Sequence, residues 1–147
     1  VIINSERPVI EEFEKYRLKI NPKDITHILS GASLFIGDSQ TMASEAGMLG
    51  VPYIRFNDFV GKIGYLNDME NNYKLGFGIR TSEREKLFAK VEELLSIPGL
   101  KEEWKIRKEN MLSKTVDLTK LQVWLYEKYP ESANEWKRNP EIIKSFK

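Results

Sequence analysis

Short apolar runs alternate with amphipathic stretches in the first part of the chain. Leu34–Ile36 is wholly apolar, which is typical of a strand buried on both faces of a parallel sheet. Thr41–Leu49 follows with the periodicity of a helix, which Gly50 ends, and Val51–Phe56 is the next strand. Strand, helix and strand at this spacing predict an α/β fold with a doubly wound parallel sheet in three layers.

The N-terminal segment shows the same alternation more weakly. Val1–Asn4 and Arg17–Ile20 are predicted to be short strands, with helices over Val9–Tyr16 and from Asp24 to Leu29. The chain begins directly in a strand-like run without an initiator methionine. We therefore expect an excised domain or a fragment of a longer protein.

The second half of the chain is predicted to be mostly helical. Four glycines in the stretch 57–81 favour a loop with one short helix near Leu66–Tyr73. Glu83–Leu95 has the apolar stripe of an amphipathic helix. Lys101–Tyr129 predicts one or two long helices with a break near Thr115–Thr119. We expect one Rossmann-like domain over residues 1–129, including these long C-terminal helices, and a polar tail over residues 130–147.

Composition narrows the functional classes. The 147 residues are 41% hydrophobic and 31% charged, which is ordinary for a globular protein. The net charge of +1, with basic and acidic residues interleaved, gives no sign of nucleic-acid binding. There is no cysteine, so disulfides and zinc–thiolate sites are excluded, and no apolar run has the length of a membrane span. We expect a cytoplasmic protein.

Four polar residues, Asp38, Ser39, Gln40 and Thr41, lie between the predicted buried strand and the helix that follows it. Ligands of α/β proteins bind at the carboxyl ends of the strands, where this turn is expected. Free backbone N–H groups and the helix dipole favour an anion there, and the Ser39 and Thr41 hydroxyls can donate to a phosphate oxygen. A plain strand-to-helix turn is the alternative, with Asp38 as a cap or loop organiser.

Two further residues are candidates for the same ligand. Glu45 lies one turn beyond Thr41, where its carboxylate can accept hydrogen bonds from the two hydroxyls of a ribose; a solvated helix glutamate is the alternative. Arg55, placed at the end of the next strand with the loop 57–64, is expected to face the same cleft and neutralise phosphate charge. A surface ion pair is the alternative for Arg55. The only histidine, His27, is expected to be structural.

The stretch 34–56 also carries a motif in three parts: Asp38-Ser39, Glu45-Ala46 and Leu49-Gly50-Val51-Pro52. It resembles the donor-binding motif of GT-B glycosyltransferase-like proteins and is similar to that of the UDP-N-acetylglucosamine 2-epimerases. The resemblance covers residues 1–129. Over this length the sequence is most similar to a family of glycosyltransferase-like domains of unknown function. It implies the Rossmann-like half of a GT-B fold. Such a domain binds a nucleotide diphosphate sugar, with UDP-linked donors among the candidates, and requires no metal. Ser39 then contacts the donor phosphate and Glu45 holds the ribose.

The chain departs from the family pattern at three positions. Gln40 and Thr41 replace a glycine pair, and Ser44 replaces the first of two glutamates. A glycosyltransferase donor domain is therefore one hypothesis, and an epimerase-like domain is a second, although that chemistry calls for more carboxylates and histidines. The third hypothesis is a non-catalytic binding or assembly module that retains only the fold.

The resemblance also implies a partner. In GT-B proteins the last helix crosses back to brace the N-terminal domain, and the stretch 114–130 is similar to that helix. Its apolar residues exceed what a single domain easily buries, so we expect the missing N-terminal GT-B domain to cover part of them. The catalytic base commonly comes from that other domain, and no catalytic residue is assigned here.

Overall fold

A computed structural model describes residues 1–147, and its centre is a sheet of three parallel strands. These are β1 (Phe35–Gly37), β2 (Tyr53–Phe56) and β3 (Gly76–Ile79), which lie side by side in chain order. The register places Tyr53 of β2 between Phe35 and Gly76. Parallel strands need long crossover connections, and here a helix occupies each one. The predicted α/β class with a parallel sheet is confirmed.

Seven α-helices surround or follow the sheet. The helix between β1 and β2 begins at Gln40 because Ser39 caps it, and it ends at Gly50, which adopts the left-handed conformation that glycine favours. The helices are α1 (Ile25–Gly31), α2 (Gln40–Leu49), α3 (Gly64–Asn71), α4 (Arg84–Leu95), α5 (Leu100–Lys114), α6 (Leu118–Glu127) and α7 (Glu131–Arg138). Short 3-10 helices cover Glu11–Tyr16, Pro22–Asp24, Thr81–Glu83 and Pro140–Ser145.

Helices α2 and α3 cover the face of the sheet that carries Tyr53 and Arg55. A Cβ atom at Gly47 of α2 would lie 3.0 Å from the Tyr53 ring, and Arg55 bonds to Glu70 of α3. Helix α4 packs against β3, with the Lys90 ammonium 4.5 Å from the centre of the Phe77 ring. The buried core therefore lies between the strands and these three helices.

Helix α5 closes the amino-terminal edge of the sheet. The buried Trp104 indole donates to the Leu75 carbonyl over 2.7 Å, and Arg107 donates to the Lys74 carbonyl over 2.6 Å. The backbone of Lys105 also lies beside Gly50, where α2 ends. The ends of the strands at which the chain enters the sheet are therefore covered by α5, and the ends at which it leaves lie on the opposite side.

Three predictions of secondary structure differ from the structure. The stretch 57–81, predicted to be a loop with one helix, contains α3 and also strand β3, which was missed because Gly76 and Gly78 are typical of turns. The predicted length of the two N-terminal strands, Val1–Asn4 and Arg17–Ile20, was wrong. The structure has only a single parallel bridge between Ile3 and Arg17 in their place. The helix predicted over Val9–Tyr16 is a six-residue 3-10 helix, Glu11–Tyr16.

The C-terminal helices match the prediction in part. The break expected near Thr115–Thr119 is confirmed, because α5 ends at Lys114 and the Asp117 carboxylate caps α6. The segment 130–147, expected to be a polar tail, contains α7 and a 3-10 turn that returns to α6. The rings of Trp124 and Phe146 lie 5.2 Å apart between their centres. The C-terminal helices thus form a small cluster of their own beside the main core.

Candidate functional site

The start of α2 lies at the open carboxyl edge of the sheet, directly after β1. The Ser39 side chain accepts a hydrogen bond from the Met42 amide at 3.3 Å, and the Ser39 carbonyl accepts one from the Ala43 amide at 3.1 Å. The amides of Gln40 and Thr41 make no hydrogen bond within the protein. Two unpaired N–H groups at the positive end of a ten-residue helix form an anion-binding geometry.

Asn57, at the end of β2, holds this turn in place. Its side-chain amide donates to the Asp38 carbonyl over 2.9 Å and its oxygen accepts from the Phe59 amide at 2.9 Å. The side chain is buried, with 8% of the residue exposed. Asp38 itself is exposed and does not cap the helix, because Ser39 does so. The sequence placed the 57–64 loop at this edge without assigning Asn57 a role.

Asp58 and Thr81 join the ends of β2 and β3 at the same edge. The Thr81 hydroxyl lies 2.7 Å and 2.9 Å from the two Asp58 carboxylate oxygens, and the Thr81 amide donates over 3.2 Å. These hydrogen bonds, with the nearby charges of Lys62 and Arg80, hold the pKa of Asp58 below its ordinary value. Asp58 is therefore an anion whose hydrogen bonds to Thr81 connect the end of β2 to the end of β3. The sequence signal for this pair was only that Asp58 follows a predicted strand, because β3, which Thr81 follows, was not predicted.

Glu45 lies one turn into α2, on the side that faces α1. Its Oε1 accepts a short hydrogen bond of 2.5 Å from the Thr26 hydroxyl, and the residue is half-buried. The bond orients the carboxylate and leaves Oε2 without a partner inside the protein. Thr26 had no role in the prediction, because nothing in its local sequence shows that α1 packs beside α2.

Arg55 does not lie at this edge with the other predicted residues. It is inside β2 rather than after it, it is fully buried, and its guanidinium makes two hydrogen bonds to the Glu70 carboxylate at 2.9 Å and 3.1 Å. The expectation that Arg55 faces the cleft was wrong, because the pleat of β2 directs this side chain under α3. Arg80, which follows β3, is an exposed cation at this edge, and Lys62 is another near Asp58.

Other features of the chain are not drawn into this arrangement. His27 is exposed on α1, and its carbonyl accepts from the Ser30 hydroxyl. No group of three or more histidine, cysteine, aspartate or glutamate side chains is placed to hold a metal ion. None of the helices combines the length and the apolar character that crossing a membrane requires. A groove of about 630 Å³ lies along the outer edge of β3, apart from the start of α2.

Comparisons of the chain with models of known families, with curated proteins and with solved structures found no match. The geometry at the carboxyl edge of the sheet is therefore the basis for a functional hypothesis.

Proposed function

We propose that this chain is the donor-binding, Rossmann-like domain of a GT-B glycosyltransferase and that it binds a nucleotide diphosphate sugar at the carboxyl edge of its sheet. In this proposal the sheet belongs to a doubly wound, three-layer fold that an N-terminal GT-B domain completes. The proposed setting is the cytoplasm. The resemblance of the motif at Asp38-Ser39 and Glu45-Ala46 supports the proposal from the sequence side.

The observation that carries the proposal is the pair of unpaired amides at Gln40 and Thr41. A diphosphate oxygen at this point accepts two N–H bonds and meets the positive end of the α2 dipole. The Ser39 hydroxyl accepts from Met42 and keeps its own proton to donate to the same oxygen. During transfer, such donors stabilise the charge that develops on the leaving diphosphate.

In this proposal Glu45 binds the ribose of the nucleotide. Its carboxylate is held by Thr26 through one oxygen, so the other oxygen can accept from a ribose hydroxyl. The proposed cation of the site is Arg80 rather than Arg55, because Arg55 is buried and bound to Glu70. No catalytic residue is assigned, because the acceptor side is proposed to belong to the other domain.

A proline at position 40 tests the carrying observation directly. Gln40 is the first residue of α2, where proline is well tolerated, and the substitution removes one of the two unpaired amides. We expect saturable binding of one of UDP, GDP or UDP-N-acetylglucosamine by isothermal titration calorimetry. Gln40→Pro should weaken that binding roughly tenfold or more, since a charge-assisted hydrogen bond is lost.

The matched control is Leu118→Pro, which places proline at the first residue of α6, far from the site in sequence and also exposed. It should bind as the unmodified chain does. Glu45→Ala should weaken the binding of nucleotides, which carry a ribose, and should leave the binding of inorganic diphosphate unchanged. If no nucleotide binds, the non-catalytic module becomes the better hypothesis. If both proline variants bind a nucleotide alike, the amides at the start of α2 are not its binding site.

A further inference from the structure

Two exposed cations lie beyond the ends of β2 and β3. Lys62 belongs to the loop that follows β2, and Arg80 directly follows β3. The Lys62 ammonium lies 5.7 Å from the centre of the Phe59 ring, so its side chain is held on that loop. Neither cation forms an ion pair within the chain. Lys62 and Arg80 are therefore free to bind an anion.

The carboxylates close to these cations already have partners. The Asp58 carboxylate accepts hydrogen bonds from Thr81, which lower its pKa, and the charges of the two cations lower that pKa further. The pKa of Glu83 is lowered chiefly by its pairing with Lys86, with a smaller contribution from Arg80. An anionic ligand can therefore approach the two cations without displacing an ion pair.

The two cations lie to one side of the proposed anion site. The diphosphate is proposed to bind at Gln40 and Thr41, directly after β1, whereas Arg80 follows β3. Strand β2 lies between β1 and β3, so the ends of β1 and β3 are two strand spacings apart, about 10 Å. Lys62 lies near the same end, because its charge acts on Asp58 together with that of Arg80. The cations are therefore placed to meet a group that extends beyond the diphosphate.

The sugar of the proposed donor extends toward the same side. In a nucleotide diphosphate sugar the diphosphate joins the ribose to the sugar, so the ribose and the sugar lie on either side of it. Glu45, the proposed ribose contact, faces α1, and α2 packs against α1 and also against α3. The loop that carries Lys62 leads into α3. A donor whose ribose lies at Glu45 therefore directs its sugar toward this loop and the end of β3.

We propose, on the basis of the donor-binding function proposed above, that the donor sugar carries a carboxylate, as a hexuronic acid does, and that Lys62 and Arg80 bind this carboxylate. An arginine guanidinium binds a carboxylate through two parallel hydrogen bonds, and a lysine ammonium adds a compact positive charge. A neutral sugar offers the two cations no charge that balances theirs. The chain should accordingly prefer an acidic donor sugar to the matching neutral one.

Isothermal titration calorimetry with two donors that differ only in this carboxylate tests the proposal. UDP-glucuronate and UDP-glucose form one such pair, and GDP-mannuronate and GDP-mannose form the equivalent pair if the chain binds GDP rather than UDP. The unmodified chain should bind the acidic donor about tenfold more tightly than the neutral one, and added salt should reduce this ratio. Lys62→Gln and Arg80→Gln should each reduce the ratio to about threefold, and the double variant to about one, because the binding charges are lost.

The control is Arg138→Gln, which removes a positive charge from an exposed residue of α7, outside the sheet. It should keep the ratio of the unmodified chain. If Lys62 and Arg80 bind the diphosphate instead, their substitution weakens both donors equally and leaves the ratio unchanged. That result, or equal binding of the two donors by the unmodified chain, would overturn the proposal. Binding of neither UDP nor GDP would instead contradict the donor-binding function itself, and the carboxylate site with it.

Discussion

The Tyr53 ring leaves no room for a side chain at two glycine positions, Gly47 and Gly76. This ring lies fully buried on the α2 and α3 face of the sheet. A Cβ atom at Gly76 would lie 2.2 Å from the ring, and one at Gly47 would lie 2.6 Å from the Met69 methyl group and 3.0 Å from the ring. The neighbouring strand and helix can therefore approach Tyr53 only because neither carries a side chain at these points. This explains why a glycine-rich segment forms β3.

We predict that Gly76→Ala is strongly destabilising. The overlap with Tyr53 forces the strand or the ring to move, and overpacking of a well-packed core costs about 1–3 kcal/mol or more. Urea unfolding followed by circular dichroism measures the change in the free energy of unfolding. The control is Gly64→Ala at the start of α3, where a Cβ atom meets nothing within 4 Å. A Gly76→Ala variant as stable as the control would contradict the packing explanation.

The position of the Arg55 side chain also depends on a residue distant in sequence, because Arg55 pairs with Glu70 of α3. Both charges are almost removed from solvent, with side-chain exposures of 0% and 9%, and one guanidinium nitrogen of Arg55 has no hydrogen-bond partner. Such a pair connects β2 to α3, while its net contribution to stability is small because both groups lose their hydration. The residue type alone suggested a ligand contact, and only the pleat of β2 decides otherwise.

At the scale of elements, α5 contacts both crossover connections. Trp104 is 1% exposed and donates to the Leu75 carbonyl directly before β3, while Lys105 packs beside Gly50 before β2. Its sequence gives little indication of this role, because its charged residues are distributed around the helix. The contacts that matter are to backbone atoms, which no side-chain pattern reports.

We predict that Trp104→Phe destabilises the chain by about 1–3 kcal/mol or somewhat more, because a buried carbonyl is left unpaired and ring volume is lost. Thermal or urea unfolding measures the difference. The control is Trp136→Phe on α7, whose indole nitrogen makes no hydrogen bond to the protein and which lies outside the main core. Equal stabilities of the two variants would show that α5 does not depend on this bond.

At the scale of the whole molecule, stability should depend on alkaline pH through Tyr53. Burial, together with the nearby Glu70 charge, raises the pKa of the Tyr53 hydroxyl above its ordinary value. The unfolded chain loses this proton near pH 10 and the folded chain does not. Above about pH 10 the unfolded state therefore binds fewer protons, and the free energy of unfolding falls as pH rises.

We predict that Tyr53→Phe reduces this alkaline loss. At neutral pH it should be neutral or stabilising, because the buried hydroxyl has no hydrogen-bond partner to lose. Urea unfolding at several pH values between about 8 and about 11 measures the slope, which for one tyrosine reaches about 1.4 kcal/mol per pH unit. Tyr126→Phe, at a residue that is 77% exposed, should retain the slope of the unmodified chain. Identical slopes in all three would exclude Tyr53 as the cause.

The sequence by itself determined the local elements that have strong periodicity or a clear stop. It predicted β1, α2 with its end at Gly50, β2, α4 and the break before α6, since apolar spacing and caps act within a few residues. It also predicted the turn Asp38–Thr41 as the candidate site, because parallel strands place such turns at one edge.

Tertiary structure alone decided which side chains reach that edge and which elements exist because of their neighbours. Arg55 is directed under α3, Thr26 reaches Glu45 from another helix, and Asn57 joins the ends of two strands. Strand β3 forms although its glycines disfavour it, because the Tyr53 ring and β2 supply the pairing and the packing. These outcomes depend on contacts between residues distant in sequence, and local propensity is weaker than such contacts.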